Sequence, residues 1–141
     1  MKKTSKLTLL ALAILSLIAT LASCTATVSD ELWQTALYTN DKEFGEGAKT
    51  VEVEVRAGEK SITLTIHTDK NTLGDALMEH HLIEGEQGAY GLYVKKVNGI
   101  VADYDVDMSY WGFYKDGEYM LSGVDLTEIN NGEHYELVRE K

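Results

Sequence analysis

Tyr110-Trp111-Gly112-Phe113-Tyr114-Lys115-Asp116-Gly117-Glu118-Tyr119-Met120-Leu121 is the stretch whose reading decides the fold. Asp-Gly between two aromatic-rich runs is a strong hairpin signal, because a type I′ turn needs positive φ at both central residues. With Asp116 and Gly117 as the loop, Lys115 faces Glu118, Tyr114 faces Tyr119, Phe113 faces Met120 and Gly112 faces Leu121. Side chains alternate across a strand, so Tyr110, Tyr114, Tyr119 and Leu121 share one face and Trp111, Phe113 and Met120 the other. Both faces are apolar or aromatic, which a sheet with one solvated side does not need. Trp111 and Phe113 are expected to point into a core. Tyr110, Tyr114 and Tyr119 are the candidate ligand-binding residues on the opposite face.

Outward from this hairpin, the same logic finds two more. Asn98-Gly99 is a second type I′ signal, pairing Val97 with Ile100 and, further out, Tyr93 with Tyr104. Gly58-Glu59 fits a type II′ loop, with glycine first. It sets Val55 against Ile62, Val53 against Leu64 and Val51 against Ile66, so the apolar faces of two alternating strands coincide. Between these hairpins, Thr72 reads as the N-cap of a helix with Asp75 three residues on. Leu73, Ala76 and Leu77 form its apolar stripe, His80 and His81 its last turn, and Gly85 lies where it ends. His134 to Arg139 reads as a closing strand with Tyr135 and Leu137 on one side. The layout predicts an α+β fold, a β-grasp-like mixed sheet packed on a single helix.

The N-terminus reads differently. Lys2, Lys3 and Lys6 form a basic region, and Leu7 to Leu21 is an uncharged apolar run too short for a membrane span of ~20 residues. It predicts a secretory signal over residues 1–23. Leu21-Ala22-Ser23-Cys24 resembles the lipobox of bacterial lipoproteins, and this resemblance implies lipidation of Cys24, cleavage before it, and a lipid anchor on the extracytoplasmic face of the cell membrane. Residues 24–48 are polar and acidic and are expected to be a tether; Leu32, Trp33, Ala36 and Leu37 have the spacing for a turn or two of helix packed on the domain. Residues 49–141 are expected to be the single folded domain.

Charge and composition exclude some function classes. The formal net charge is −10, and loss of the leader with its lysines makes the remainder more acidic. Such a surface repels phosphate backbones, so no nucleic-acid partner is expected. With Cys24 the only cysteine, no disulfide is available. Asp103, Asp105 and Asp107 alternate as in a calcium loop, but the sixth and twelfth positions are Met108 and Tyr114 rather than glycine and glutamate. His80 and His81 point about 100° apart on a helix and do not share one ion. No metal, no cofactor and no catalytic constellation is expected. Eight tyrosines, five of them between residues 90 and 114, offer rigid amphipathic contact area of the kind found in recognition surfaces.

A wider set of residues carries a resemblance. It includes Gly45-Glu46-Gly47-Ala48, His67-Thr68-Asp69, Leu73-Gly74-Asp75-Ala76-Leu77, Leu82-Ile83-Glu84-Gly85, Tyr90-Gly91-Leu92-Tyr93-Val94 and Val97-Asn98-Gly99-Ile100. Tyr110-Trp111, Phe113-Tyr114, Gly123-Val124 and Asn131-Gly132 with Tyr135-Glu136 continue it. In order and spacing these resemble bacterial lipoproteins of a domain-of-unknown-function family related to the C-terminal domain of transcobalamin and intrinsic factor. The resemblance implies a β-grasp that binds a soluble small molecule, a corrinoid among the candidates. The alternative is a surface-displayed protein-interaction or adhesion module. A concave cleft flanked by tyrosines points to the first, and a flat apolar patch to the second.

Overall fold

Valines at every second position make Lys49–Ala57 a strand with one buried face, and Lys60–Thr68 answers it in the expected register, Val55 opposite Ile62 and Val53 opposite Leu64. The structure, a computed structural model, describes residues 25–141; the expected signal segment and Cys24 lie outside the described residues. In chain order the elements are α1 (Val28–Trp33), β1 (Lys42–Phe44), β2 (Lys49–Ala57), β3 (Lys60–Thr68), α2 (Leu73–Glu79), β4 (Ile83–Gly88) and β5 (Gly91–Val97). They continue as β6 (Ile100–Val101), α3 (Tyr104–Asp107), β7 (Tyr110–Lys115), β8 (Glu118–Tyr119), a 3-10 turn (Val124–Leu126) and β9 (His134–Glu140).

The fold is α+β, with the strands divided between a mixed six-stranded sheet, order β1-β3-β2-β9-β7-β8, and a three-stranded sheet, order β4-β5-β6. The closing strand β9 lies in the middle of the larger sheet, parallel to β2 and antiparallel to β7. Its Tyr135 and Leu137 are fully buried and align Val53 and Val55 on one side with Phe113 on the other. The inner face of the sheet therefore runs as rows of side chains from Ile62 through Val55 and Leu137 to Phe113. Helix α2 adds Leu73, Ala76 and Leu77 to the same core, and the smaller sheet adds Val94, Val97 and Ile100.

All three turns form at the expected residues, although the pairing expected further out, Gly112 with Leu121 and Tyr93 with Tyr104, does not. Asn98, Gly99, Asp116 and Gly117 have positive φ, as a type I′ loop needs, whereas at the first hairpin positive φ falls on Gly58 and not on Glu59. Tyr114 pairs with Tyr119 and Lys115 with Glu118. Thr72 caps α2, its Oγ1 accepting from the Asp75 amide at 3.2 Å. The helix end is corrected: His81, at φ 55, takes the left-handed position. The amides of His81 and Leu82 donate back to the carbonyls of Met78 and Leu77, a Schellman closure with histidine where glycine is usual. Gly85 instead sits at a bulge in β4, where a Cβ would overlap the Tyr93 carbonyl. The Tyr93–Tyr104 pairing also fails, because β6 stops after two residues and Tyr104 opens α3.

The second correction concerns the expected tether. Much of 24–48 is folded onto the sheet. Ser29 Oγ accepts from the Glu59 amide at 2.8 Å, Lys60 pairs with Asp30, and the Trp33 indole donates to the Ala57 carbonyl at 2.9 Å. Further on, buried Asn98 donates to the Tyr38 carbonyl and accepts from its amide, at 2.8 and 3.0 Å. Strand β1 then joins the sheet edge parallel to β3. The polar composition of this segment reflects its outer side; its few apolar residues do the packing.

Candidate functional site: an aromatic cleft between the two sheets

Where β5 of the smaller sheet faces the β7–β8 hairpin, the inner face is not fully covered, and a cleft of about 740 Å³ opens. One wall is Trp111 and Phe113 on β7 with Met120 and Leu121 beyond β8; the other is Leu92 and Val94 on β5. Val124 and Leu137 also line it, together with tyrosines 90, 93, 110 and 119. None of its lining residues carries a charge. That volume and lining are of the kind that holds small molecules.

The shape of the β5 wall depends on one carboxylate. Asp125 Oδ1 accepts from the Leu92 amide at 2.7 Å, and its Oδ2 from Gln87 Nε2 at 3.3 Å. The Gly123 amide donates to the Tyr90 carbonyl at 2.9 Å. A Cβ on Gly91 (φ +105) or on Gly123 would come within 2.7 Å of Asp125 Oδ1, so both positions need glycine for this approach. The β4–β5 hairpin tip is thereby fastened to the chain that leaves β8.

Trp111 and Phe113 point inward as expected, and the cleft lies on their side of β7. Phe113 stacks on Tyr135 with ring centroids 5.8 Å apart. The Trp111 side chain is 7% exposed and its Nε1 is buried with no hydrogen-bond acceptor among the described residues. Such donors are rare in folded proteins. One other buried side-chain nitrogen among those residues shares this condition, His80 Nε2 beside Phe44, and it is not part of the cleft.

The three candidate tyrosines separate. Tyr110 and Tyr114 lie on the outer face and share Glu140: Tyr110 donates to Oε2 at 3.0 Å and Tyr114 to Oε1. Holding the phenol protons against this carboxylate raises the Tyr110 pKa and pushes that of Tyr114 up to about 12. Tyr119 meets Tyr114 edge-to-face at 5.3 Å. Tyr110 and Tyr119 reach the cleft lining, and Tyr114 does not. Met120 shares the inner face with Trp111 and Phe113 as the hairpin register implied, whereas Leu92, Val94 and Val124 were not among the expected site residues, each being an unremarkable apolar residue in its own element.

The aspartates of 103–107 have other partners. Asp103 caps α3, and Asp107 accepts from Arg139 Nη2 at 2.7 Å and from Ser109, whose hydroxyl with that guanidinium holds the Asp107 carboxyl down at about 2. Among the described residues no three His, Cys, Asp or Glu side chains converge as a metal site, and no helix is long and apolar enough to cross a membrane.

The comparisons fall on this same region. A domain family of unknown function, DUF4430, matches residues 70–135, which supply β5, β7 and the whole cleft but Leu137. A crystal structure of a protein from Ruminococcus gnavus ATCC 29149, provisionally described as metal binding, is 30% identical, with a TM-score of 0.63 over 67% of this chain and 98% of that one. Haptocorrin in complex with Cbi is 20% identical, with a TM-score of 0.56, a likeness of fold over 70% of this chain and 26% of haptocorrin. Among curated proteins there is no match. With a 30%-identical relative matched over 98% of its length and the domain match over residues 70–135, the chain belongs to the DUF4430 family, and it shares its fold with a part of haptocorrin.

Proposed function

We propose that this chain is a binding protein, not an enzyme, held on the extracytoplasmic face of the membrane by lipid on Cys24, and that it takes a soluble small molecule into the cleft between β5 and β7. The observation that carries the binding reading is the cleft itself: concave, about 740 Å³, walled by Trp111, Phe113, Leu92 and Val94 and flanked by tyrosines. A corrinoid is the candidate ligand class, supported by the fold shared with haptocorrin, whose structure holds Cbi. Metal binding is not proposed, because the described residues offer no converging ligand set.

A second reading has one observation in its favour. Tyr90 and Leu121, 81% and 87% exposed, stand at the cleft as apolar surface that a protein partner would also cover. Calorimetric titration of the purified chain with cobinamide and cobalamin, and with a panel of other soluble ligands, separates the two. Saturable binding that is lost when Val94→Arg blocks the cleft supports the small-molecule reading. Heat-silent titrations across the panel favour the interaction module. For the anchor, Cys24→Ala should move the protein out of the membrane fraction.

A further inference from the structure

The two walls of the cleft are held in different ways. The β7 wall belongs to the six-stranded sheet and pairs with β9 along its whole length. The opposite wall ends in the outer part of the β4–β5 hairpin, residues 85–92, which gives Gly88, Ala89, Tyr90 and Leu92 to the lining. Every residue from 84 to 90 is exposed, and the ladder is broken by the bulge at Gly85. A segment with no buried side chain opens at low cost unless polar contacts hold it. Beyond the hairpin itself, its hydrogen bonds among the described residues come from one place. Asp125 Oδ1 accepts from the Leu92 amide, Oδ2 accepts from the Gln87 side chain, and the nearby Gly123 amide donates to the Tyr90 carbonyl. The ground under Asp125 is firm. Its 3-10 turn is bound to the start of α2, the Leu73 amide donating to the Thr127 carbonyl at 2.9 Å and the Ile129 amide to that of Asn71 at 3.0 Å, and Val124 is buried.

Resting on the reading of this cleft as a ligand site, we infer that residues 85–92 are a gate over it and that Asp125 is the latch. The occupant enters and leaves when the latch opens and is retained when it closes. Asp125 is a positioning residue, because it lies outside the lining and acts on the occupant through the hairpin. The latch can be broken in two independent ways. Alanine at 125 removes the carboxylate. A methyl at Gly123, whose φ of −66 suits any residue, would stand 2.7 Å from Asp125 Oδ1 and 2.8 Å from the Leu92 amide nitrogen, and so wedges them apart. Asparagine at 125 keeps an acceptor for the Leu92 amide and should preserve the latch.

Amide hydrogen exchange and the dissociation of Nile red, an uncharged apolar dye that brightens out of water, test the gate. The Gly123 amide is the reporter, because its acceptor is Tyr90 of the gate and not Asp125; the Leu73 amide reports the fixed side. In the wild-type protein, saturating dye should slow exchange at Gly123 about tenfold, since a retained occupant resists opening. Asp125→Ala should speed that exchange about tenfold without dye and leave Leu73 as protected as before. Asp125→Ala and Gly123→Ala should each release the dye about tenfold faster, the scale of a lost hydrogen bond to a charged group, and Asp125→Asn should stay within about threefold of wild type. The wild-type measurement needs no variant, so a poorly folded Asp125→Ala does not decide the matter. Exchange at Gly123 that bound dye leaves unchanged overturns the inference. If Val94→Arg abolishes dye binding but both alanine variants release the dye at the wild-type rate, the gate fails and the cleft reading stands. If neither the dye nor a corrinoid binds the wild-type protein, both fall.

Discussion

Trp33 and Trp111 are equally buried, 6% and 7% exposed, yet they occupy opposite kinds of site. Trp33 closes the core beside Ala57 and its indole N–H is satisfied at 2.9 Å. Around it Ser29 covers the Gly58-Glu59 turn, Asp30 meets Lys60, and Asn98 exchanges two hydrogen bonds with Tyr38. Trp111 stands at the edge of an open cleft with its donor unmatched. The donor of the first tryptophan is satisfied within the fold, while that of the second has no acceptor among the described residues. What burial alone cannot distinguish, the hydrogen-bond partners do.

The largest expected effect lies on the Trp33 side. Truncation to residues 49–141 removes Trp33, the Tyr38–Asn98 exchange and β1, and uncovers the core they pack against. It should destabilise the domain more than any single substitution, read as a fall in the denaturation midpoint with a larger fall in cooperativity. Trp33→Ala alone should cost about 3–5 kcal/mol, as for a large buried aromatic. If both changes leave the midpoint in place, residues 24–48 are the tether that composition suggested and the contrast between the two tryptophans collapses.

A smaller effect comes from Glu133, whose carboxylate ties β9 to β7. Burial alone would raise its pKa, but hydrogen bonds from Lys115 (2.7 Å), Tyr135 and Asn130 outweigh it and hold the carboxyl at about 2. A depressed folded-state pKa gives stability that is present above the unfolded value, near 4.5, and is lost as pH falls towards 2. Wild-type protein should therefore lose thermal stability over that window. Glu133→Gln should lower stability at neutral pH by about 1.5–3 kcal/mol, the scale of hydrogen bonds to a charged group, and flatten the acid limb. An unchanged acid limb would place the titration elsewhere.

The difference between the two regions also explains what was legible in the sequence. The alternation of Val51, Val53 and Val55, the Asp116-Gly117 and Asn98-Gly99 turns and the Thr72 cap are local signals, written within a few residues of where they act, and each was read correctly. The central, parallel place of β9 beside β2 was not legible, because its partners are some eighty residues away in sequence. Trp33 was expected on a short helix packed on the domain, but that helix runs over Val28–Trp33 and not on to Leu37, and His81 concealed the end of α2 by taking a position glycine normally holds. The hairpin residues brought Trp111, Phe113, Tyr110 and Tyr119 to notice. Their function depends on Leu92, Val94 and Val124 from other elements and on Asp125, which fastens the wall, and no period or spacing links these to the hairpin.

The smallest expected effect on stability is also the sharpest test of the cleft. Leu121 is 87% exposed and follows β8, where the last ladder bond, from the Met120 amide to the Phe113 carbonyl, has just been made. Replacing it with arginine buries nothing and breaks no hydrogen bond among the described residues, so the midpoint should move by no more than about 0.5 kcal/mol. The same change sets a cation at the mouth of a cleft with no charge in its lining. A neutral ligand should then bind several-fold more weakly, and an anionic one should gain, because the new guanidinium supplies the missing counter-charge. Equal binding of both ligands by wild-type and Leu121→Arg protein would mean that the occupant never reaches this wall. A large loss of stability would mean that Leu121 packs in solution, and the exposed rim that sets Trp111 apart from Trp33 would have to be redrawn.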